Sequence, residues 1–191
     1  LHQSISTNKI YIINFDDSFT YNIASIIYPK FKNIEVLPAN NFFVTVADQL
    51  LEMNESRFSV ILGPGPGHPL EYSKYFSKIK KLLECEFIFI LGICLGHQLI
   101  AQIYDYKVLE ARTKSHGERV LISYKGESYL VQRYNSLAPK SKNLNIEELK
   151  IENDVYIFRS KNLLSFQFHP ESIGTEKNEV FFSEIVNYVS R

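Results

Sequence analysis

The chain has 191 residues, 45% hydrophobic and 22% charged, an ordinary balance for a globular protein with a sizeable core. Its 21 Lys and Arg residues balance 21 Asp and Glu residues, so bulk charge draws it neither to nucleic acid nor to an anionic membrane surface. No apolar run approaches the ~20 residues that span a bilayer, and the opening LHQSISTNK lacks the apolar stretch of a signal peptide. Two cysteines make no disulfide framework, and a cytoplasmic location is the expectation.

Residues 1–8 read as a flexible tail and residues 9–191 as a single domain. The first half alternates two patterns. Strand-like runs lie at Lys9–Asn14, Asn33–Leu37, Phe58–Leu62 and Phe87–Leu91. Helix-like stretches lie at Ser18–Ile27, with Asp16, Asp17 or Ser18 able to cap it, then at Val44–Met53, at Glu71–Leu83, and from Leu95 through Ile103. Such alternation predicts a mostly parallel sheet flanked by helices on both faces. The second half is richer in short strands: Lys107–Leu109, Arg119–Tyr124, Tyr129–Tyr134, Leu149–Glu152, Val155–Phe158 and Leu163–Phe168. Turns at Lys125–Gly126–Glu127 and Glu152–Asn153–Asp154 imply antiparallel pairing, and Glu176–Ser190 reads as a closing helix. The fold class expected is α/β, with the sheet continuing into antiparallel strands.

Within LGICLGHQL, Cys94 has Gly92 two residues before it and Gly96 two after, between the buried run FIFIL and a helix. That is the layout of a nucleophile elbow, where a sharp strand-to-helix turn admits only small neighbours. A cysteine there sits at a helix N-terminus, where the dipole favours a thiolate. The Leu95 N–H is placed to bind a developing oxyanion. Glycine flanks any given cysteine in this way about once in 200 by chance. The competing reading is a buried structural cysteine, which is how Cys85 in LLECEF reads.

A cysteine nucleophile needs a base and a group that orients it. Of the five histidines, His2 lies in the tail and His97 points away from Cys94 on a regular helix. His169, at the end of the strand LLSFQF, is the better candidate, since open α/β sheets place ligands at strand ends. Glu171 would project to the same side in an extended segment and fix the imidazole tautomer. The run GPGPGHP, Gly63 to Pro69, follows another buried strand and forms a rigid loop with bare backbone for a substrate oxygen. No Gly-Lys-Ser/Thr follows, so it is no phosphate loop, and His and Cys are too scattered for a metal site.

Together LGICLGHQ, GPGPGHP and FHPES resemble the class I, triad-type glutamine amidotransferases, whose domain is flavodoxin-like. INFDDSFTYNI and RYNSL are similar to the amidase subunits of chorismate-using synthases, both anthranilate synthase component II in tryptophan synthesis and its aminodeoxychorismate synthase counterpart in folate synthesis. The resemblance implies a Cys94–His169–Glu171 triad that hydrolyses glutamine and an oxyanion hole from the N–H groups of Gly65 and Leu95. It implies a glutamine pocket of Gly65, Pro66, Gly67, Gln98, Ser136 and Leu137. It implies no cofactor in this chain, and a large chorismate-binding partner subunit that takes the ammonia and uses Mg2+. A stand-alone γ-glutamyl cysteine hydrolase and a non-enzymatic binding module are the alternatives, opposed by Gln98 with RYNSL and by the intact triad.

Departures from the family pattern fall outside the triad. YDYKV (Tyr104 to Val108) stands where a Gly-Gly pair is usual. Asn14, Phe15 and Asp16 replace an Asp-Asn-Tyr-like run, Asn135 stands where His is common, and Glu118 follows His116–Gly117 where Lys is usual.

Overall fold

The computed structural model describes residues 8–53, 56–142 and 146–191, so His2 and the tail at 1–7 lie outside the described residues. The two most apolar runs make the centre of the sheet. They are β3 (Phe58–Leu62) and β4 (Ile88–Ile93), and every residue of both is buried. A strand covered on both faces cannot alternate polar and apolar residues, which is why these runs read as continuous hydrophobic stretches. β1 (Lys9–Asn14) lies parallel to β3, and β2 (Ile34–Pro38) lies parallel to β1 on its outer side. β11 (Leu163–Phe166) pairs parallel with β4 on the other flank. β10 (Asp154–Ser160) and β9 (Glu147–Ile151) then continue the sheet antiparallel. The order is β2-β1-β3-β4-β11-β10-β9.

The predicted antiparallel extension therefore holds for β9 and β10. The other short strands do not join the sheet. β6 (Arg119–Tyr124) and β7 (Glu127–Gln132) form a separate hairpin, whose Lys125 and Gly126 both take positive φ, as a two-residue type I′ turn requires. β5 (Val108–Glu110) pairs with β8 (Leu137–Pro139), a strand too short to be legible as one.

Helices cover both faces. α1 (Thr20–Ile27) and α6 (Glu179–Val189) bury Ile23, Ile27, Phe181, Phe182 and Ile185 against one face of the sheet. The opposite face carries α2 (Ala39–Asn41), α3 (Ala47–Glu52), α4 (Phe76–Glu84) and α5 (Leu95–Ile103), and its core contains Phe42, Phe43, Ile79, Leu95 and Leu99. The helix predicted over Val44–Met53 begins earlier, and a π-turn at Phe42–Val46 joins α2 to α3 and turns two adjacent phenylalanines into the core. The helix predicted over Glu71–Leu83 opens instead as a 3₁₀ turn at Pro69–Tyr75. There His68 Nδ1 accepts from Leu70 N–H while the Glu71 carboxylate accepts from His68 N–H, a reciprocal cap. Among the described residues no helix is long and apolar enough to cross a membrane, and no cluster of His, Cys, Asp or Glu is arranged to hold a metal ion.

Candidate active site

The strand β4 runs two residues further than expected, through Gly92 and Ile93, and delivers Cys94 straight onto the N-terminus of α5. Cys94 has φ 51°, a left-handed backbone that an L-residue adopts only at a cost of about 1–3 kcal/mol. The surroundings hold it there. Its N–H donates to Phe166 O at 2.8 Å, and its carbonyl accepts from Gln98 N–H at 3.1 Å. Both flanking glycines are places where no side chain fits. A Cβ on Gly92 would lie 2.9 Å from the Gly96 carbonyl, and one on Gly96 would lie 2.0 Å from Leu62 O. Strand, turn and helix pass within backbone contact, and Cys94, itself buried, lines the cavity beside them.

His169 arrives from the neighbouring strand. β11 ends at Phe166, two residues sooner than predicted, and the chain bends so that Glu171 lies in a turn closed by Ser172 N–H on His169 O at 3.2 Å. The expected same-side geometry of an extended segment is thus replaced by a turn that makes the same contact. His169 Nδ1 sits 2.7 Å from Glu171 Oε1, with both residues buried. A carboxylate only accepts, so Nδ1 carries the hydrogen and Nε2 is the nitrogen left for the sulfur. Nε2 makes no hydrogen bond of good geometry among the described residues. Burial alone would lower the pKa of His169. The charges of Cys94 and Glu171, and hydrogen bonding toward both, outweigh burial and raise it well above the ordinary histidine value.

Gln132 clamps this turn to the β6–β7 hairpin. It accepts the Ser172 hydroxyl and, at 3.2 Å, the Gly174 N–H, while its own backbone accepts His169 N–H at 2.9 Å. Phe19 and Tyr134 pack their rings 5.6 and 5.2 Å from the imidazole. Phe19 is placed by its own N–H donating to the Asp17 carboxylate at 2.8 Å, just ahead of α1. Neither ring stands out in the sequence, since aromatic residues are common and these two meet His169 from distant parts of the chain.

A cavity of about 180 Å³ opens beside Cys94. Its wall contains Gly65, Pro66 and Gly67 together with Gln98, Ser136 and Leu137, and Leu95 lines it next to the cysteine. The structure thus brings together every residue expected for the pocket, and adds Tyr134 and Asn135. Gly65 can be nothing larger: a Cβ there would lie 2.6 Å from both the Leu95 side chain and Phe15 Cβ. The proline-glycine loop is stiffened by Tyr72, whose hydroxyl donates to Pro66 O at 2.9 Å. The Gln98 amide is partly spent, since its Nε2 donates to Leu137 O at 3.0 Å and to Gln167 Oε1 at 3.2 Å. The Leu137 carbonyl also accepts from Asn135 Nδ2 at 2.8 Å, and Ser136 O accepts from Ala111 N–H at 2.9 Å.

The departures have local explanations. Asp105 takes φ 58°, the left-handed conformation that a glycine would supply more cheaply, and Tyr106 beyond it is buried against Phe158. Asn135 bridges the Arg133 side chain to Leu137. Glu118 closes its loop by accepting from the Ser115 hydroxyl and the His116 N–H, each at 2.6 Å, and these bonds hold its carboxyl down at about 2. His97 engages Ser165 and Val155 instead of Cys94, as its place on a regular helix predicts. Cys85 is half-buried and free.

Known proteins agree with this architecture. Residues 11–188 match the family model of the glutamine amidotransferase class-I domain. The chain is 29% identical over 192 residues to anthranilate synthase component 2 of Helicobacter pylori, covering 95% of this chain and 97% of that one. It is 32% identical over 193 residues to the same component of Cyanophora paradoxa, covering 93% and 98%. Among solved structures, a glutamine amidotransferase of Thermotoga maritima superposes with a TM-score of 0.66 at 17% identity, over 87% of this chain and 76% of that one. A protein of Thermoplasma acidophilum described as one of the subunits of GMP synthase superposes with a TM-score of 0.78 at 18% identity, over 95% and 94%. The family match spans the elbow, the turn after β11 and the cavity between them, and the chain belongs to the class I glutamine amidotransferases.

Proposed function

We propose that this amidotransferase hydrolyses glutamine to glutamate and ammonia at Cys94 and passes the ammonia to a chorismate-using synthase subunit, as the component 2 chain of an anthranilate synthase. The observation that carries the reading is the buried His169, held by Glu171 through Nδ1, with Nε2 left for Cys94, whose charge and hydrogen bonding act on the ring.

The Cys94 sulfur attacks the carboxamide carbon of glutamine, and the carbonyl electron pair moves onto oxygen. The N–H groups of Gly65 and Leu95 stabilise that oxyanion. His169 has its raised pKa because Cys94 and Glu171, by charge and hydrogen bonding, outweigh the pull of burial, and this lets it carry a proton to the bound substrate. It gives that proton to the leaving nitrogen as the C–N bond breaks, and a γ-glutamyl thioester and ammonia result. His169 then takes a proton from water, which attacks the thioester and releases glutamate. Gln98 contacts the substrate through the carbonyl oxygen its donor bonds leave over. The Leu137 carbonyl already accepts two hydrogen bonds, so Ser136 and Leu137 hold the amino-acid end of glutamine through their other backbone groups.

Ile173, two residues past Glu171, is 99% exposed. A single exposed apolar residue is ordinary in itself, and Ile173 matters here because the turn that carries His169 reaches the surface at it, where a partner receiving ammonia would dock. The partner is read as the large synthase subunit because the relatives carrying the component 2 name align over nearly their whole length.

A glutamine-like chloroketone should label Cys94 alone, as read by mass spectrometry; no label with or without a partner overturns the proposal. Cys94→Ser should abolish glutamine-dependent anthranilate formation by the reconstituted pair and spare formation from free ammonia. Formation of aminodeoxychorismate instead of anthranilate would move the chain to the folate branch.

A further inference from the structure

Gln167 is completely buried, yet it lines neither the glutamine pocket nor the imidazole's contacts. It lies between the last residue of β11 and Phe168, and its backbone N–H is pinned to Tyr156 O at 2.9 Å. Its side-chain Nε2 lies 3.9 Å from the Cys94 sulfur. An amide at a sulfur can face it with either end, donor or acceptor, and the two have opposite effects on a thiolate. Here the neighbours decide which end it is.

The Leu137 carbonyl can only accept. It therefore requires the amide nitrogen of Gln98, not its oxygen, at 3.0 Å. The second hydrogen of that same nitrogen points to Gln167 at 3.2 Å and so requires the Gln167 oxygen there. With its oxygen committed, Gln167 has only its nitrogen to present to Cys94. The polarity of a backbone carbonyl in the pocket wall is thus transmitted through two amides to the sulfur. Reversing Gln167 would set its nitrogen against the Gln98 nitrogen, donor to donor, where burial makes the mismatch costly.

We infer that Gln167 is a fixed hydrogen-bond donor to the Cys94 sulfur, oriented by Gln98, and that it stabilises the thiolate alongside the imidazole. Sulfur hydrogen bonds are long, and a donor to a buried anion is worth more than one to a neutral group. The donor also restricts the sulfur's rotamer, which keeps it over the cavity. The inference rests on Cys94 as the nucleophile of the proposed reaction.

The test is the pH profile of Cys94 alkylation by iodoacetamide, followed by mass spectrometry, in the wild-type chain, in Gln167→Glu and in Gln167→Met. Glutamate keeps the shape and removes the donor, and methionine keeps the approximate volume without a donor or a charge. In folded variants, checked by near-UV circular dichroism, the midpoint of the profile should move up by about one pH unit, with the high-pH rate retained. Glutamate should move it further than methionine. Either variant giving a profile superimposable on the wild type overturns the inference, and methionine decides alone if glutamate does not fold. A role in packing alone would lower the melting temperature and leave the midpoint in place. Failure of the chloroketone to label wild-type Cys94 would remove the glutaminase reading instead, and the alkylation profiles would still report whether Gln167 acts on the sulfur.

Discussion

His97 and His169 are buried to nearly the same extent, at 0% and 2% exposure, and each lies in a stretch that the sequence marks as functional. Their surroundings make them opposite acids. His97 lies 2.9 Å from Val155 O through Nε2 and 2.8 Å from the Ser165 hydroxyl through Nδ1, with its ring stacked on Phe158. The carbonyl fixes the hydrogen on Nε2, so Nδ1 accepts from the serine, and the neutral ring is fully satisfied. Burial drives its pKa down to about 3, with only the Val155 bond opposing. For His169 burial pulls the same way, but the charge and hydrogen bonding of Cys94 on one side and Glu171 on the other overcome it, and its pKa rises. Burial makes each histidine sensitive to its neighbours, and the neighbours decide the sign. His97 ties α5 to β10 and β11, and His169 is the one that handles protons in the proposed reaction.

Exchanging the fates of the two histidines gives the largest effects. His169→Asn should cut the rate of chloroketone labelling, and of glutamine-dependent synthesis, by about 10³-fold or more with the fold intact. His97→Asn should cost about 2–4 kcal/mol of stability in urea unfolding by leaving Val155 O or the Ser165 hydroxyl unpaired. The folded fraction of that variant should still label at Cys94. Loss of labelling in folded His97→Asn would break the contrast. Glu171→Gln keeps an acceptor at Nδ1 and removes the charge, and should lower glutaminase activity by about 10²-fold.

Stability against pH separates the pair further. The folded pKa of His97 lies below its unfolded value, so its neutral form is the one the fold requires. That contribution is present above about pH 6.5 and falls by about 1.4 kcal/mol for each pH unit toward about 3. His169 runs the other way: its folded pKa is raised, so its contribution is complete below about pH 6.5 and fades as pH rises through the folded value. Urea midpoints of wild type and His97→Asn, compared between pH 7 and pH 5, should converge as pH falls. Parallel curves would mean that His97 titrates alike in the folded and the unfolded chain. The smallest effect belongs to the surface. The turn that carries His169 reaches solvent at Ile173, and Ile173→Lys should leave Cys94 labelling unchanged while weakening stimulation by the synthase partner by about 10-fold.

The elbow is legible in the sequence because its constraint is local: Gly92, Cys94 and Gly96 lie within five residues, and backbone contact forbids anything larger at the glycines. The central strands are legible for a similar reason, since a strand buried on both faces writes itself as an unbroken apolar run. His169 is nominated as the partner of Cys94 by its strand-end position and by elimination, and the long-range fact that joins them, the pairing of β11 with β4, is not written locally. What stays hidden depends on contacts between distant short segments. β8 has three residues and no period to read. The π-turn at Phe42–Val46 answers to the core beneath it. Gln167 resembles any strand-end polar residue until Gln98 and Leu137 are placed beside it.

Cys94 and His169 follow adjacent strands of the sheet, β4 and β11. Ile93, directly before Cys94, pairs with Phe166, and the Cys94 N–H itself bonds to Phe166 O at 2.8 Å. Their separation starts from the roughly 4.8 Å spacing of a sheet ladder, and the turn that Gln132 clamps completes the approach of His169. Local fraying at the surface leaves that spacing untouched, because the ladder lies at the most protected level of the structure. Reactivity at Cys94 and the integrity of the central sheet are consequently one cooperative property. On heating, inactivation should trace the same curve as global unfolding, with no temperature range in which a folded chain has lost its chemistry.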